Sequence, residues 1–196
     1  MAAELEARTG MRWVDAPVSG GTPGAEAGTL AIMAGGRVED IERVRPILAH
    51  LGQRLTRMGD VGAGQVTKVC NQMIVACNAL VIAEVVALAE KSGVDASLIA
   101  PALAGGFADS KPLQIFAPRM IEAQAKSIGA LSTMLKDIDT LIANAQQSGA
   151  PMPVAASVQQ MLRVASAMGL GQAEVSALVS VVLPEQRDAF LRQIST

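Results

Sequence analysis

Three short blocks of this sequence carry side chains that could do chemistry together. Lys68, Asn71 and Gln72 stand at i, i+3 and i+4 at the start of a long apolar run, so a helix there presents one amine and two amides on one face. A lysine partly withdrawn from water loses some of its preference for the charged form, and its amine can then exchange a proton with a substrate hydroxyl. The competing reading is a lysine that snorkels from the helix entrance into solvent. Ser19-Gly20-Gly21, after a predicted strand and Pro17, offers a hydroxyl and unobstructed backbone N–H groups, a cradle suited to a carboxylate. A plain turn is its alternative. Lys136-Asp137 lies within a predicted helix, and an exposed ion pair also accounts for it. Gly62-Ala63-Gly64-Gln65-Val66-Thr67 has the first two glycines of a dinucleotide fingerprint. Thr67, however, stands where a third glycine would let helix and strand pack closely, and no βαβ unit follows. We read it as a helix-entry loop.

Other chemistries lack material. One histidine, His50, and two cysteines, Cys70 and Cys77, make a zinc site or a His-based triad hard to assemble, so no metal is expected. The cysteines are seven residues apart in one predicted helix, roughly 10 Å of rise, beyond the reach of a disulfide. They are expected to be reduced thiols whose ordinary role is burial. With 16 Lys+Arg against 18 Asp+Glu, a net charge of -2 and no basic run, there is no electrostatic footprint for nucleic acid or an anionic membrane surface. The opening residues lack an apolar stretch and carry Glu4 and Glu6, so they resemble neither a signal nor a transit peptide, and a cytoplasmic location is expected.

The elements that must position these blocks follow from composition. Aromatic residues are 2% of the 196 residues, while 51% are hydrophobic, which points to a mainly helical fold. After an opening helix, strands are expected at Met11 to Asp15, Leu30 to Ala34 and Arg54 to Met58, with a loop from Pro17 to Gly24 and a helix from Val38 to Leu51. Beyond Gly64 every segment has helical spacing: Gln65 to Lys91, Ser97 to Ala104, Leu113 to Ala125, Leu131 to Ser148, Pro153 to Met168 and Gln172 to Val182. Lys126 to Gly129 forms one of the breaks, and Pro184 to Thr196 is a tail or a short terminal helix. The change of character places a domain boundary near residue 60. The Met73 to Ala89 stretch approaches membrane length, but Asn78 and Glu84 interrupt it, so a helix buried in the protein or in an oligomer interface is expected.

In order and spacing, Asp15-Ala16-Pro17-Val18-Ser19-Gly20-Gly21, then Gly62-x-Gly64-x-x-x-Lys68-x-x-Asn71-Gln72, then Lys136-Asp137, resemble the β-hydroxyacid dehydrogenase family, which includes 3-hydroxyisobutyrate dehydrogenases and 2-hydroxy-3-oxopropionate reductases. The resemblance runs to about Val182. It implies an enzyme with an NAD- or NADP-binding Rossmann domain followed by an all-helical domain like that of 6-phosphogluconate dehydrogenase. Residues 1–60 would be the last part of that Rossmann sheet, and 61–196 the helical domain, opened by a long interdomain helix. The family's glycine fingerprint would lie before Met1.

Carried over by resemblance, Lys68 matches the catalytic lysine, and Ser19, Gly20 and Gly21 match the loop that holds the substrate carboxylate. Asn71 matches an amide of the lysine motif, and Gln72 stands where many members have Asn and others Gln. Lys136 matches a lysine that reaches the cofactor, with Asp137 its companion. Gly105-Gly106-Phe107 with Ser110 falls in a loop that would border the substrate. The implied partners are a small hydroxy acid or its semialdehyde, and further copies of the chain in a homodimer or higher oligomer. A chain of this extent is expected to be inactive alone. The alternative, from a different class, is a non-catalytic helical module for dimerisation or interaction, motivated by its long apolar helix.

Overall fold

The computed structural model describes residues 2–123 and 129–194, which divide into two units, Met1–Asn71 and Gln72–Thr196. In the first unit, helix α1 (Ala2–Thr9) precedes an extended segment, and strand β1 (Val18–Ser19) leads into the short helix α2 (Gly21–Glu26). Strand β2 (Ala31–Gly35), helix α3 (Val38–Leu48) and strand β3 (Arg54–Gly59) follow. The sheet order is β1-β2-β3, with β1 antiparallel and β3 parallel to β2. Helix α3 makes the crossover that a parallel pair requires. Leu30, Ile32, Ala34 and Ile41 are the buried apolar residues of this unit.

The strand expected at Met11 to Asp15 is not formed. Asp15 alone pairs, with Gly35, and the ladder resumes at Val18–Ser19 against Ile32 and Ala31. Pro17 explains the interruption: it has no N–H to donate, though its carbonyl still accepts from the Met33 amide at 3.0 Å. The loop expected from Pro17 to Gly24 accordingly contains β1 and the start of α2.

Helix α4 (Ala63–Lys91) begins in the first unit and continues into the second. Among the described residues it is the helix long and apolar enough, by length and composition, to cross a membrane. Within the second unit Ala76, Ala79, Leu80, Ala83, Val86 and Ala87 are buried, while Ile74, Val81 and Leu88 are 62%, 59% and 69% exposed. These exposed positions recur at seven residues and lie on one face. Of the cysteines, both free, Cys77 is half-buried, and burial pushes its thiol pKa up. Cys70 is exposed, against the expectation of burial, because it falls on an outward turn of α4.

Helices α5 (Ile99–Leu103), α6 (Lys111–Glu122), α7 (Leu131–Ser148), α8 (Pro153–Ala165), α9 (Val179–Val182) and α10 (Arg187–Ile194) complete the second unit. The expected helix end at Ala125 and the break starting at Lys126 lie outside the described residues. Leu131, Met134, Ile138, Leu141 and Ala145 make one buried stripe along α7, and Ala155, Val158, Leu162 and Ala165 make another along α8. The helix expected from Gln172 starts only at Val175, as a 3-10 turn. The carbonyls of Gly171 and Ala173 accept from the Ser132 and Leu131 amides instead, which ties that turn to the start of α7. The C-terminal segment is the short helix α10, fixed by the buried Phe190.

Glu174, directly before the 3-10 turn, is buried, with Arg119 Nη1 3.1 Å from its Oε2. Burial pushes its carboxyl pKa above the ordinary 4.5, and the nearby guanidinium offsets part of that rise. A raised folded-state value means the native state holds more protons than the unfolded one above pH 4.5. The contribution of Glu174 is therefore fully present below that pH and is lost as pH rises through the folded value. Denaturant unfolding of the wild type and Glu174→Gln from pH 4 to 7 should show the wild type losing stability relative to the variant as pH rises. A relative gain would contradict this assignment.

Candidate active site

The first unit brings the Ser19 block and the Lys68 block together. Ser19 ends β1, and its Oγ donates to Asn71 Oδ1 at 3.4 Å, a contact between residues 52 apart in sequence. Gly20 and Gly21 follow with φ of 138° and 63°, left-handed values that a side chain rarely adopts. A Cβ on Gly20 would also stand 3.0 Å from Leu30 Cδ2. Glycine is thus required for the loop to turn from β1 into α2 with its backbone uncovered. Lys68 is half-buried on α4, one turn before Asn71.

Why α4 begins where it does was not legible from the glycine motif alone. Asp15 is only 7% exposed. Its carboxylate accepts from the Gly62 amide at 2.5 Å through Oδ1 and from the Gln65 amide at 3.0 Å through Oδ2. Two of the N–H groups at the head of the helix, which helical bonding leaves unpaired, are satisfied in this way. The glycines make room for the carboxylate: a Cβ on Gly35 would lie 2.5 Å from Asp15 Oδ1, and one on Gly64 2.6 Å from Oδ2. Gly62-x-Gly64 is therefore a helix entry filled by a side chain of this chain. It does not fit the diphosphate of a dinucleotide, because the Asp15 carboxylate occupies the place.

In the second unit, Gln72 Nε2 donates to Asp137 Oδ2 at 2.8 Å. Asp137 is half-buried on α7, and Lys136 beside it is exposed. A carboxylate accepts but does not donate, so this bond sets which end of the Gln72 amide faces Asp137. Sequence reasoning placed Asp137 only as the companion of Lys136 and missed this partner. Ser110, in the loop carried over as a substrate border, accepts from the Leu113 amide at 3.1 Å and caps α6.

A small mixed sheet leads into a long lysine-bearing helix, and helices α5 to α10 follow it. Residues 62–182 match the family described as "NAD-binding of NADP-dependent 3-hydroxyisobutyrate dehydrogenase", and residues 1–59 match "NAD binding domain of 6-phosphogluconate dehydrogenase". The chain belongs to the β-hydroxyacid dehydrogenase family.

It is 38% identical over 170 residues to 2-hydroxy-3-oxopropionate reductase of Escherichia coli, covering 87% of this chain and 58% of that protein. Among solved structures, 3-hydroxyisobutyrate dehydrogenase from Salmonella typhimurium is similar with a TM-score of 0.83 and 26% identity, over 92% of this chain and 63% of that one. The Mycobacterium tuberculosis 3-hydroxyisobutyrate dehydrogenase, solved with L-serine, has a TM-score of 0.80 and 29% identity, over 92% and 65%. The chain thus spans about three-fifths of the length of these relatives.

Proposed function

We propose that this chain supplies the acid–base and carboxylate-binding part of an NAD- or NADP-dependent β-hydroxyacid dehydrogenase, with residues 1–60 as part of the nucleotide-binding domain and 61–196 as the helical domain. The observation that carries the reading is the Ser19–Asn71 contact, which joins the carboxylate loop to the helix turns that bear Lys68. The substrate is a short acid with a hydroxyl or oxo group at carbon 3. This is the chemistry shared by 2-hydroxy-3-oxopropionate, 3-hydroxyisobutyrate and L-serine, which the names of the relatives print.

The N–H groups of Gly20 and Gly21 hold the substrate carboxylate, and Ser19, whose one hydroxyl proton goes to Asn71 Oδ1, sets the position of that loop. Lys68 Nζ takes the proton of the carbon-3 hydroxyl in oxidation and returns it in reduction. Asn71 and Gln72 orient substrate and amine with their amides, and Lys136 is the residue offered to the cofactor. NAD or NADP, when bound, accepts or gives the hydride. Asp15 fills the Gly62-x-Gly64 entry and leaves no room for a diphosphate there, so the chain alone is expected to have no turnover, because holding the reacting groups in register supplies much of such a rate. The purified chain with NADH or NADPH and 2-hydroxy-3-oxopropionate tests this by absorbance. Lys68-dependent oxidation of the nicotinamide by the chain alone would contradict it.

The protein works as a cytoplasmic homodimer or higher oligomer in this reading. The exposed Ile74, Val81 and Leu88 face of α4 supports association, and it is also what favours the second reading, a purely structural helical module. Sedimentation at micromolar concentration should show a dimer or larger, and Val81→Lys should shift it toward monomer. A monomeric wild type would count against association. A Lys68→Ala change that leaves every binding property intact would favour the structural module.

A further inference from the structure

We infer that Asp15 is the positioning residue of this site, its buried carboxylate locking the loop that bears Ser19, Gly20 and Gly21 to the turn of α4 that bears Lys68. The inference rests on the reading above that these residues form the site.

The segment from Asp15 to Ser19 grips α4 at two points. At its first residue, Asp15 accepts from the Gly62 and Gln65 amides at the head of the helix. At its last, Ser19 Oγ reaches Asn71 Oδ1. Gln65 and Asn71 bracket Lys68, three residues to either side. One grip would leave the helix free to rotate or slide against the loop. Two grips about two turns apart on the helix fix both motions, and with them the offset between the carboxylate cradle and the amine.

The segment is itself held to the sheet. Asp15 and Gly35 exchange backbone bonds of 3.0 and 2.8 Å, and the Pro17 carbonyl accepts from Met33 at 3.0 Å. Pro17 adds a fixed φ between the two grips. Gly35 and Gly64 close around the carboxylate so tightly that a longer acid would not enter the same place. Asp15 touches neither substrate nor cofactor in this arrangement, and its effect on catalysis passes through the loop and the helix.

The test uses the whole chain as wild type, Asp15→Asn and Asp15→Ala, with two readouts. Asn keeps the shape and one carbonyl acceptor, so it covers the case in which Ala fails to fold. In hydrogen exchange, both variants should lose protection in residues 17–24 and in 66–72 together, by at least about tenfold, with residues 131–165 unchanged. Asp15→Asn should lose less than Asp15→Ala. Loss confined to the first turn of α4 would overturn the inference, since Asp15 would then be a local cap.

In the second readout, D-glycerate is titrated while NMR follows the Ser19, Gly20 and Gly21 amides and the Lys68 side chain. The wild type should respond at both, and Asp15→Asn should keep the loop response and lose the lysine response. Equal responses in wild type and Asp15→Asn would overturn the inference while leaving the site reading intact. No response in the wild type would remove the site reading, and with it the catalytic meaning of Asp15, whatever the exchange data show.

Discussion

Lys68→Met in an enzyme that carries this chain together with its nucleotide-binding domain should lower kcat by about 10²–10⁴-fold, the usual worth of one positioned proton-transfer group. Methionine keeps the length and the apolar stem but has no proton to exchange. The carboxylate loop is untouched by the change, so affinity for the hydroxy acid should fall far less than kcat does. Lys68→Arg should not restore the rate, because a guanidinium stays protonated at any pH the enzyme meets. Steady-state kinetics on the three proteins checks this. A Lys68→Met enzyme within a fewfold of wild type would remove the lysine from the chemistry.

Gly64→Ala should strongly destabilise the first unit. The new Cβ would fall 2.6 Å from Asp15 Oδ2 and 3.1 Å from the Gly35 amide nitrogen, and it would also overlap the Met33 carbonyl. Backbone atoms of β2 cannot swing aside as a flexible side chain can. The strain itself costs on the order of 1–3 kcal/mol, and pushing the Asp15 carboxylate away adds a similar penalty for each buried amide it deserts. Gly62→Ala is the control. It must bear a φ of 100° but meets nothing within 4 Å, so its cost should be near 1–2 kcal/mol. Hydrogen exchange of β2 and the first turns of α4 reports on this unit directly. Similar losses in the two variants would show that Asp15 does not fill the space beside Gly64.

The elements with strong periodicity were legible in the sequence. The α7 range, Leu131–Ser148, and the long run of α4 follow from apolar spacing and from glycines at their ends. Short pieces were not, because their conformation is decided by distant partners. Met11 to Asp15 has the composition of a strand, yet Pro17 and the pairing of Asp15 with Gly35 leave it a single bridge. Gln172 to Glu174 has helical spacing, yet the carbonyls of Gly171 and Ala173 accept from the start of α7 and the helical turn begins only at Val175.

The candidate site divides along the same line. Lys68, Asn71 and Ser19 could be named from residue type and spacing, but the groups that hold them could not. Asp15 caps a helix from 47 residues away, and Asp137 meets Gln72 across 65. Neither pairing has a local signature, since a carboxylate in a sequence does not announce which amide it will accept from.

The most direct test of the proton-transfer role is nicotinamide oxidation with 2-hydroxy-3-oxopropionate by this chain mixed with a separately prepared nucleotide-binding half of a family member. Turnover should appear only in the mixture and should vanish when the chain carries Lys68→Met. Turnover in the mixture that is indifferent to Lys68, or turnover by the nucleotide-binding half without this chain, would contradict the claim that the chain supplies the proton-transfer side of the reaction.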